Sequence, residues 1–356
     1  MAQALPASLQ ASLKATKVEH VKLGSSGLRV SFPIMGCVAL GSPQLGPWML
    51  DEEQSLDVLK AAYDCGISTW DTANTYSNGL SEAVIGNAMR KFNIPRHKVV
   101  IMTKCYFCVG EEMDIIGPAH DKQLARSKDY ANTQGLSRNA IFKAVDDSLA
   151  RLGTAYIDLL QLHRYDYSTA PEETMKALHD VIQSGKVRYI GACSMWATQF
   201  AELQFIAEKH NWTKFVSMQN DYNLCYREEE REMIRFCKRT GVGVIPCSPL
   251  FFGRLARPLG WHKSIQSNEP LPRHLDTTEA DELIIRRVEE VANHRGWEMT
   301  EVALAWHKDK GTIPIVDFNS AEKIEDVCEL RGKTLTDREV QYLEEPYIPR
   351  AVAGHA

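Results

Sequence analysis

The chain has 356 residues, with 41 Lys and Arg against 46 Asp and Glu and a formal net charge of −5. At 24% charged and 44% hydrophobic it has a globular balance, which excludes a disordered or collagen-like chain. No apolar run reaches the roughly 18 residues of a membrane span, and mild acidity without a clustered basic patch argues against nucleic acid as a partner.

Residues 1–18 read as a loose tail, because the first 16 lack the basic start and long apolar stretch of a secretion signal. Residues 19–30 read as a hairpin turning at Gly24-Ser25-Ser26-Gly27. The run Phe32-Pro33-Ile34-Met35 ends at Gly36. A helix is predicted over 52–64, with Leu56, Leu59 and Tyr63 on one face and Gly66 as its stop. A strand over 67–70 ends at Asp71, a helix covers 81–91, and a strand over 99–102 leads to Lys104. Ser137 caps a helix whose Ile141, Val145, Leu149 and Leu152 form a stripe. A strand over 156–162 ends at His163. Pro171 opens a helix that stops near Gly185. Further strands over 189–193, 215–218, 242–245 and 312–316 lead to Ser194, Gln219, Ser248 and the segment around Asn319. Helices over 198–209, 228–240 and 281–295 lie between them. The connection 105–136 has weak periodicity and reads as a lid or binding loop.

Alternating strands and helices imply an α/β fold with a parallel sheet. Eight such units imply a closed (β/α)8 TIM barrel. The length allows two domains or one barrel. No Pro-, Gly- or Ser-rich linker divides the chain, so one domain is expected over 19–350, with an N-terminal β-hairpin and a C-terminal helix and tail. Residues 351–356 carry no retention or peroxisomal address.

In such a barrel the chemistry gathers at the C-terminal ends of the strands. Those ends are Gly36, Asp71, Lys104, His163, Ser194 and Gln219, an unusually polar set after apolar runs. Asp71 opens the run to Tyr76. A phenol is a poor acid at neutral pH, and a neighbouring ammonium lowers its pKa. Tyr76 beside Lys104 is therefore expected to donate a proton near neutral pH. Asp71 would hold the ammonium, and His163 would orient the incoming oxygen. This set suits protonation of a carbonyl oxygen, with hydride from a nicotinamide. The G-x-G-x-x-G fingerprint is absent, so a Rossmann mode is not expected.

Nine cysteines in no framework spacing suggest a reducing compartment, the cytosol. The close pair Cys105 and Cys108 lacks a second ligand pair, so no metal site is expected. His20, His97, His179, His210 and His307 read as surface or helix-face residues. The runs at 227–232 and 281–295 read as solvated helix faces. Trp48, Tyr106, Phe107, Trp196 and Phe251 fall on loops of the expected mouth.

The motifs Gly66-Ile67-Ser68-Thr69-Trp70-Asp71-Thr72-Ala73-Asn74-Thr75-Tyr76, Leu152-Gly153-Thr154-Ala155-Tyr156-Ile157-Asp158-Leu159-Leu160-Gln161-Leu162-His163 and Gly185-Lys186-Val187-Arg188-Tyr189-Ile190-Gly191 resemble those of the aldo-keto reductase superfamily. Gln219-Asn220-Asp221-Tyr222-Asn223-Leu224 adds to the likeness, which spans residues 21–350. Within the superfamily the chain looks like the fungal aryl-alcohol dehydrogenase and versiconal hemiacetal acetate reductase branch. The resemblance implies a catalytic tetrad of Asp71, Tyr76, Lys104 and His163, and NADPH bound in extended form. It places Ser194 and Gln219 at the nicotinamide carboxamide. It places Ser248, Leu250, Gly253 and Arg254, with Asn319, Ser320 and Lys323, around the phosphates. Gly36 and Cys247 join the expected cofactor contacts. Val38, Trp48, Tyr106, Phe107 and Trp196 are the expected substrate contacts.

Three positions depart from the family pattern. Cys247 stands where an aromatic residue usually stacks on the nicotinamide. Met195 replaces the common asparagine. Asp317 replaces a glycine, and its charge would repel a nearby phosphate. The expected activity is NADPH-dependent reduction of an aldehyde or ketone, aromatic or polyketide-like, in the cytosol. The expected partner is a small-molecule carbonyl, with no membrane partner and the oligomeric state open. The alternatives are a cofactor-sensing subunit of the potassium-channel beta type, or a reductase coupled to dehydration or ring closure in secondary metabolism. Specificity is expected in the 105–136 loop, the segment after Gly253 and the tail.

Overall fold

The computed structural model describes residues 5–261 and 277–355. In chain order the main elements begin with α1 (Ala7–Ala15), β1 (Glu19–Lys22), β2 (Arg29–Phe32), β3 (Ile34–Gly36), α2 (Glu52–Cys65), β4 (Thr69–Asp71) and α3 (Leu80–Lys91). The middle of the chain holds β5 (Val100–Cys105), α4 (Gly117–Leu124), α5 (Arg138–Leu152), β6 (Ile157–Leu162), α6 (Pro171–Gln183), β7 (Val187–Cys193), α7 (Ala197–Lys209) and β8 (Ser217–Gln219). The last part holds α8 (Met233–Thr240), β9 (Gly243–Val244), α9 (Glu279–Arg295), α10 (Met299–Asp309), β10 (Ile315–Asp317), α11 (Ala321–Cys328) and α12 (Asp337–Glu344).

β3 to β10 form one eight-stranded parallel sheet in the order β10-β3-β4-β5-β6-β7-β8-β9. The ends of this order meet through Ile313 N–H to the Val244 carbonyl, 2.9 Å, and Ile315 N–H to the Pro246 carbonyl, 2.8 Å. The sheet thus closes as the expected barrel. The strands are nearly wholly buried, as parallel strands covered by helices must be.

Local chemistry explains the helix limits. The Asp51 carboxylate accepts from Gln54 N–H in a capping box, and Gly66 ends α2 in the left-handed region. Ser137 caps α5 through Ala140 N–H, and Pro171 opens α6. The hairpin β1–β2 lies under the barrel. Ser31 N–H donates to the first residue of β4 at Thr69 Oγ1, 2.9 Å, and Ser25 N–H donates to the Gly241 carbonyl just ahead of β9, 2.7 Å.

Several expectations are corrected. The tail carries α1, which buries no residue and rests on the helix propensity of its Ala, Leu and Lys. The 105–136 connection contains α4. The helix expected over 228–240 begins as a 3-10 turn at Glu228–Glu230 and resumes as α8. Helices α10 and α11 add to the expected set. The run at 227–232 is not a solvated face, since Glu228 and Glu229 are buried. Asp281 is buried too, and so is His307, which bonds Thr312 Oγ1 at 3.0 Å. Phe251 lies in the core rather than on the mouth.

The end of the chain is a strap rather than a free tail. Tyr347 OH donates to Glu228 Oε1 at 2.6 Å, and the Arg350 guanidinium pairs with both Asp281 oxygens at 2.7 and 2.6 Å. Ala353 N–H donates to Tyr226 OH at 2.9 Å, and the His355 ring stacks on Trp196 at 4.8 Å. No helix among the described residues is long and apolar enough to cross a membrane.

Candidate active site

Side chains alternate across a strand, so Gln161 and His163 share a face at the end of β6 and its extension. Register aligns Gly36 with Asp71 and Lys104 with Gln161. These alignments bring the polar ends of β3, β4, β5 and β6 to one side of the barrel.

Lys104 is the centre of the site. Its buried ammonium donates to Asp71 Oδ2 at 2.5 Å, to the Thr72 carbonyl at 2.9 Å and to Tyr76 OH at 3.2 Å. All three protons of the ammonium are thereby directed. Asp71 Oδ1 accepts from Gln161 Nε2 at 2.7 Å and from Gln219 Nε2 at 3.2 Å. Both carboxylate oxygens are therefore held. The His163 ring meets Tyr76 edge-on at 5.9 Å. The structure brings the four expected residues together.

Tyr76 sits on a tight turn whose next two residues, Ser77 and Asn78, are left-handed at φ 46° and 49°. The 105–136 connection clamps this turn. Asn78 Nδ2 donates to the Gly110 carbonyl at 3.1 Å and the Glu112 carbonyl at 2.9 Å, and Gly110 N–H returns to Asn78 Oδ1 at 2.8 Å. Such strain persists only where its surroundings hold it.

The electrostatics correct one expectation. Burial pushes the Tyr76 phenol above its ordinary value, and the opposing pull of Lys104 does not overcome it. The phenol is therefore a fully protonated donor at neutral pH rather than one tuned to titrate there. Lys104 is pushed up on balance: burial acts against its charge, but Asp71 and then Tyr76 outweigh it. Burial, then Lys104 and Arg164, hold His163 well below its ordinary value, so the imidazole is neutral. Its Nδ1 is buried without a hydrogen-bond partner.

Around the tetrad the structure separates the expected substrate contacts. Phe107 meets His163 edge-on at 5.2 Å, and Tyr106 meets Phe107 at 5.0 Å. Trp48 lies beside Met49, whose sulfur receives Ser77 Oγ–H at 3.9 Å, next to the Tyr76 turn. Val38 N–H donates to Asp317 Oδ1 at 3.3 Å. Trp196 is engaged by the strap through His355.

The expected cofactor residues fit a dinucleotide in part. Ser194 is left-handed at φ 41°, and its N–H bonds the Gln219 carbonyl at 3.0 Å and Asn220 Oδ1 at 3.2 Å. Gln219 spends its amide nitrogen inward on Asp71 and Gln161, which leaves its Oε1 for a ligand. Cys247 lies partly exposed after β9, and burial pushes its thiol up. In the following loop Ser248, Phe251, Phe252 and Gly253 are all left-handed. Phe251 N–H is spent on the Ser248 carbonyl and Arg254 N–H on the Phe251 carbonyl, so the N–H groups of Phe252 and Gly253 are the pair this loop offers to an anion. Leu250 lies within the loop, and Arg254 stands over the Phe251 ring at 5.4 Å. Across the seam, Ser320 precedes α11 without using its side chain as a cap, so the first N–H groups of α11 are open to an anion. Lys323 reaches Asn319 Oδ1 at 2.5 Å. The protein packed around Lys323, and then the guanidinium of Arg257, lower its pKa. An anion beside Lys323 and Arg257 would relieve this repulsion.

Arg257, Gln161, Asn78 and Asn220 were not among the sequence candidates. Alternation from His163 exposes Gln161. Nothing local marks the other three. Of the segment expected to set specificity after Gly253, residues 262–276 lie outside the described residues. Asp317 sets its carboxylate against Gly36 while keeping an exposed side, and the protein around it raises its pKa to about 6, with Asp71 adding to the rise and Lys104 opposing it.

Residues 34–348 match the model of the Aldo/keto reductase family. An aldo-keto reductase of Metarhizium robertsii, dtxS3, is 52% identical over 99% of this chain and 97% of its own length. The versiconal hemiacetal acetate reductase of Aspergillus parasiticus is 48% identical over 94% of this chain and 98% of its own. A Schizosaccharomyces pombe chain whose name assigns it to the aryl-alcohol dehydrogenases is 48% identical over 93% and 96%.

Proposed function

The chain belongs to the aldo-keto reductase family, an oxidoreductase acting on small-molecule carbonyls, and on that premise we propose that it reduces an aldehyde or ketone with NADPH, with Tyr76 as the general acid. The observation that carries this reading is the single ammonium of Lys104 bonded at once to Asp71 and to Tyr76 OH. When bound, the cofactor supplies hydride to the carbonyl carbon. The protein's part is to receive the negative charge that develops on oxygen. The protonated Tyr76 donates its proton to that oxygen. Lys104 stabilises the phenolate left behind, and Asp71 keeps the ammonium in place. Neutral His163 offers a ring N–H to the same oxygen and fixes its position. Ser194 and Gln219 would hold the carboxamide. Arg254, Arg257, Ser320 and Lys323 would hold the phosphates.

The names of the relatives support an aromatic or polyketide-like substrate from secondary metabolism. Tyr106 and Phe107 beside His163 supply apolar walls for such a carbonyl. Nine free thiols support a reducing compartment, the cytosol. The test is Tyr76→Phe, assayed by NADPH oxidation on aromatic aldehydes and polyketide carbonyls. Turnover should fall by at least about 100-fold, while NADPH binding, followed by fluorescence titration, survives. Unchanged turnover would overturn the assignment of the acid.

A further inference from the structure

Alternate strands β4, β6 and β8 contribute Asp71, Gln161 and Gln219 to one layer inside the barrel. Such barrels fill their interior layers mostly with branched apolar residues. Gln161 is wholly buried there, and the proposed chemistry gives it no part. Strand β7 lies between β6 and β8, and its Gly191 is the register partner of Gln161 on one side and of Ser217 on the other. A β-carbon on Gly191 would stand 2.3 Å from Ser217 Oγ and 3.3 Å from Gln161 Cγ. The bare glycine thus leaves room for the Gln161 side chain to cross β7 and reach Gln219.

We propose that Gln161 is a positioning residue for the cofactor: it holds Gln219 with Oε1 turned to the nicotinamide carboxamide, and so makes the carboxamide amine a recognised group. This rests on the NADPH reading above. A carboxylate only accepts hydrogen bonds, so both glutamines must turn their nitrogens to Asp71. Gln161 Nε2 donates to Asp71 Oδ1 at 2.7 Å. With its nitrogen tied there, Gln161 presents Oε1 to Gln219, whose Nε2 donates to it at 3.0 Å. The Cys193 thiol donates to the same Oε1 at 3.8 Å. Gln219 Nε2 has a second proton, which goes to Asp71 Oδ1 in the longer of its two bonds, 3.2 Å. A flipped Gln219 would set its oxygen against two acceptors, Asp71 Oδ1 and Gln161 Oε1, in a buried place where unmet polar groups are costly.

The neighbours of Gln219 make this direction matter. Met195 is buried in the core and brings no amide or hydroxyl to the site. Asn220 is spent, its Oδ1 on Ser194 N–H and its Nδ2 on the Glu229 carboxylate. The Ser194 hydroxyl is left for the carboxamide carbonyl, and Gln219 Oε1 for the amine. Without Gln161 the Gln219 amide would keep only its 3.2 Å bond to Asp71.

The test compares the binding of NADP+ with that of its 3-acetylpyridine analogue, in which a methyl group replaces the carboxamide amine. Quenching of tryptophan fluorescence in the full-length protein gives both Kd values. Loss of one hydrogen bond should make the analogue about five- to ten-fold weaker on the wild-type protein. Gln161→Met keeps the length of the side chain without its polar atoms. There the ratio should fall to about two-fold or less, because NADP+ weakens while the analogue changes little. A merely structural role would weaken both nucleotides alike and leave the ratio where it was. An unchanged ratio in Gln161→Met, folded by circular dichroism, would therefore overturn the proposal, and so would a wild-type ratio near one. Gln161→Leu decides the matter in the same way where Gln161→Met does not fold. Wild-type protein that bound neither nucleotide would overturn the NADPH reading instead, so the two failures are distinct.

Discussion

Asp317 Oδ1 lies 2.3 Å from the point where a β-carbon on Gly36 would stand. The two residues are register partners in adjacent strands, so a side chain at position 36 would have to turn the Asp317 carboxylate aside. Gly36→Ala should therefore destabilise the barrel by about 1–3 kcal/mol through overpacking. Adding Asp317→Gly should recover most of that loss. Chemical denaturation of both single variants and the double variant measures the coupling.

The same carboxyl should make cofactor binding depend on pH. It is neutral below about 6 and charged above, so its repulsion of a phosphate appears as pH rises through that value. One charge at about 8 Å in an intermediate dielectric is worth about 1 kcal/mol, or about five-fold in Kd. NADPH titrations from pH 5 to 8 should show Kd rising by that factor. In Asp317→Asn the profile should be flat.

Burial of Tyr76 sets the alkaline behaviour of the reduction. Its pKa lies above the ordinary phenol value of about 10. The acid form is therefore present throughout the neutral range, and kcat for reduction should hold level to about pH 10. His163 is held neutral, so it should add no inflection between pH 6 and 8. A pH profile of kcat at saturating cofactor checks both statements. A loss of rate centred between pH 7 and 9 would contradict them.

Preference for NADPH over NADH should rest on Arg257 and Lys323. Removing one charge-assisted contact to a phosphate costs about 1.5 kcal/mol or more. Arg257→Ala and Lys323→Ala should each raise Kd for NADPH by about ten-fold and leave NADH within about two-fold. Fluorescence titration with both nucleotides gives the comparison.

The strap should matter to stability. The side chains of Arg350 and Asp281 are 14% and 2% exposed. Arg350→Ala leaves the Asp281 carboxylate buried without its cation, at a cost of about 3 kcal/mol. Equilibrium unfolding in urea measures it, and Arg350→Ala with Asp281→Asn should lose less than the two single losses together.

The strand ends were legible because apolar runs and their polar stops are local patterns, and the barrel turns that order into proximity. Asp71, Tyr76, Lys104 and His163 could be read in this way. What escaped depends on contacts between distant parts of the chain. Glu228, Glu229 and Asp281 look like solvated helix charges until Tyr347, Arg350 and His355 arrive from the far end to cover them. His307 looks like a helix-face residue until Thr312 and the core enclose it. The acidity of Tyr76 was misjudged because a neighbouring ammonium can be read from sequence, whereas the packing that outweighs it cannot.

The barrel closes between β9 and β10 through the amides of Ile313 and Ile315. Pro246 and Pro314 flank that seam and have no N–H to give. The loops on either side are the ones assigned to the phosphates. That seam is held by these two bonds, and it lies two strands away from the one that ends at Asp71. A cofactor seated as proposed would therefore press on the closure of the barrel and not on the strands that align Asp71 and Lys104.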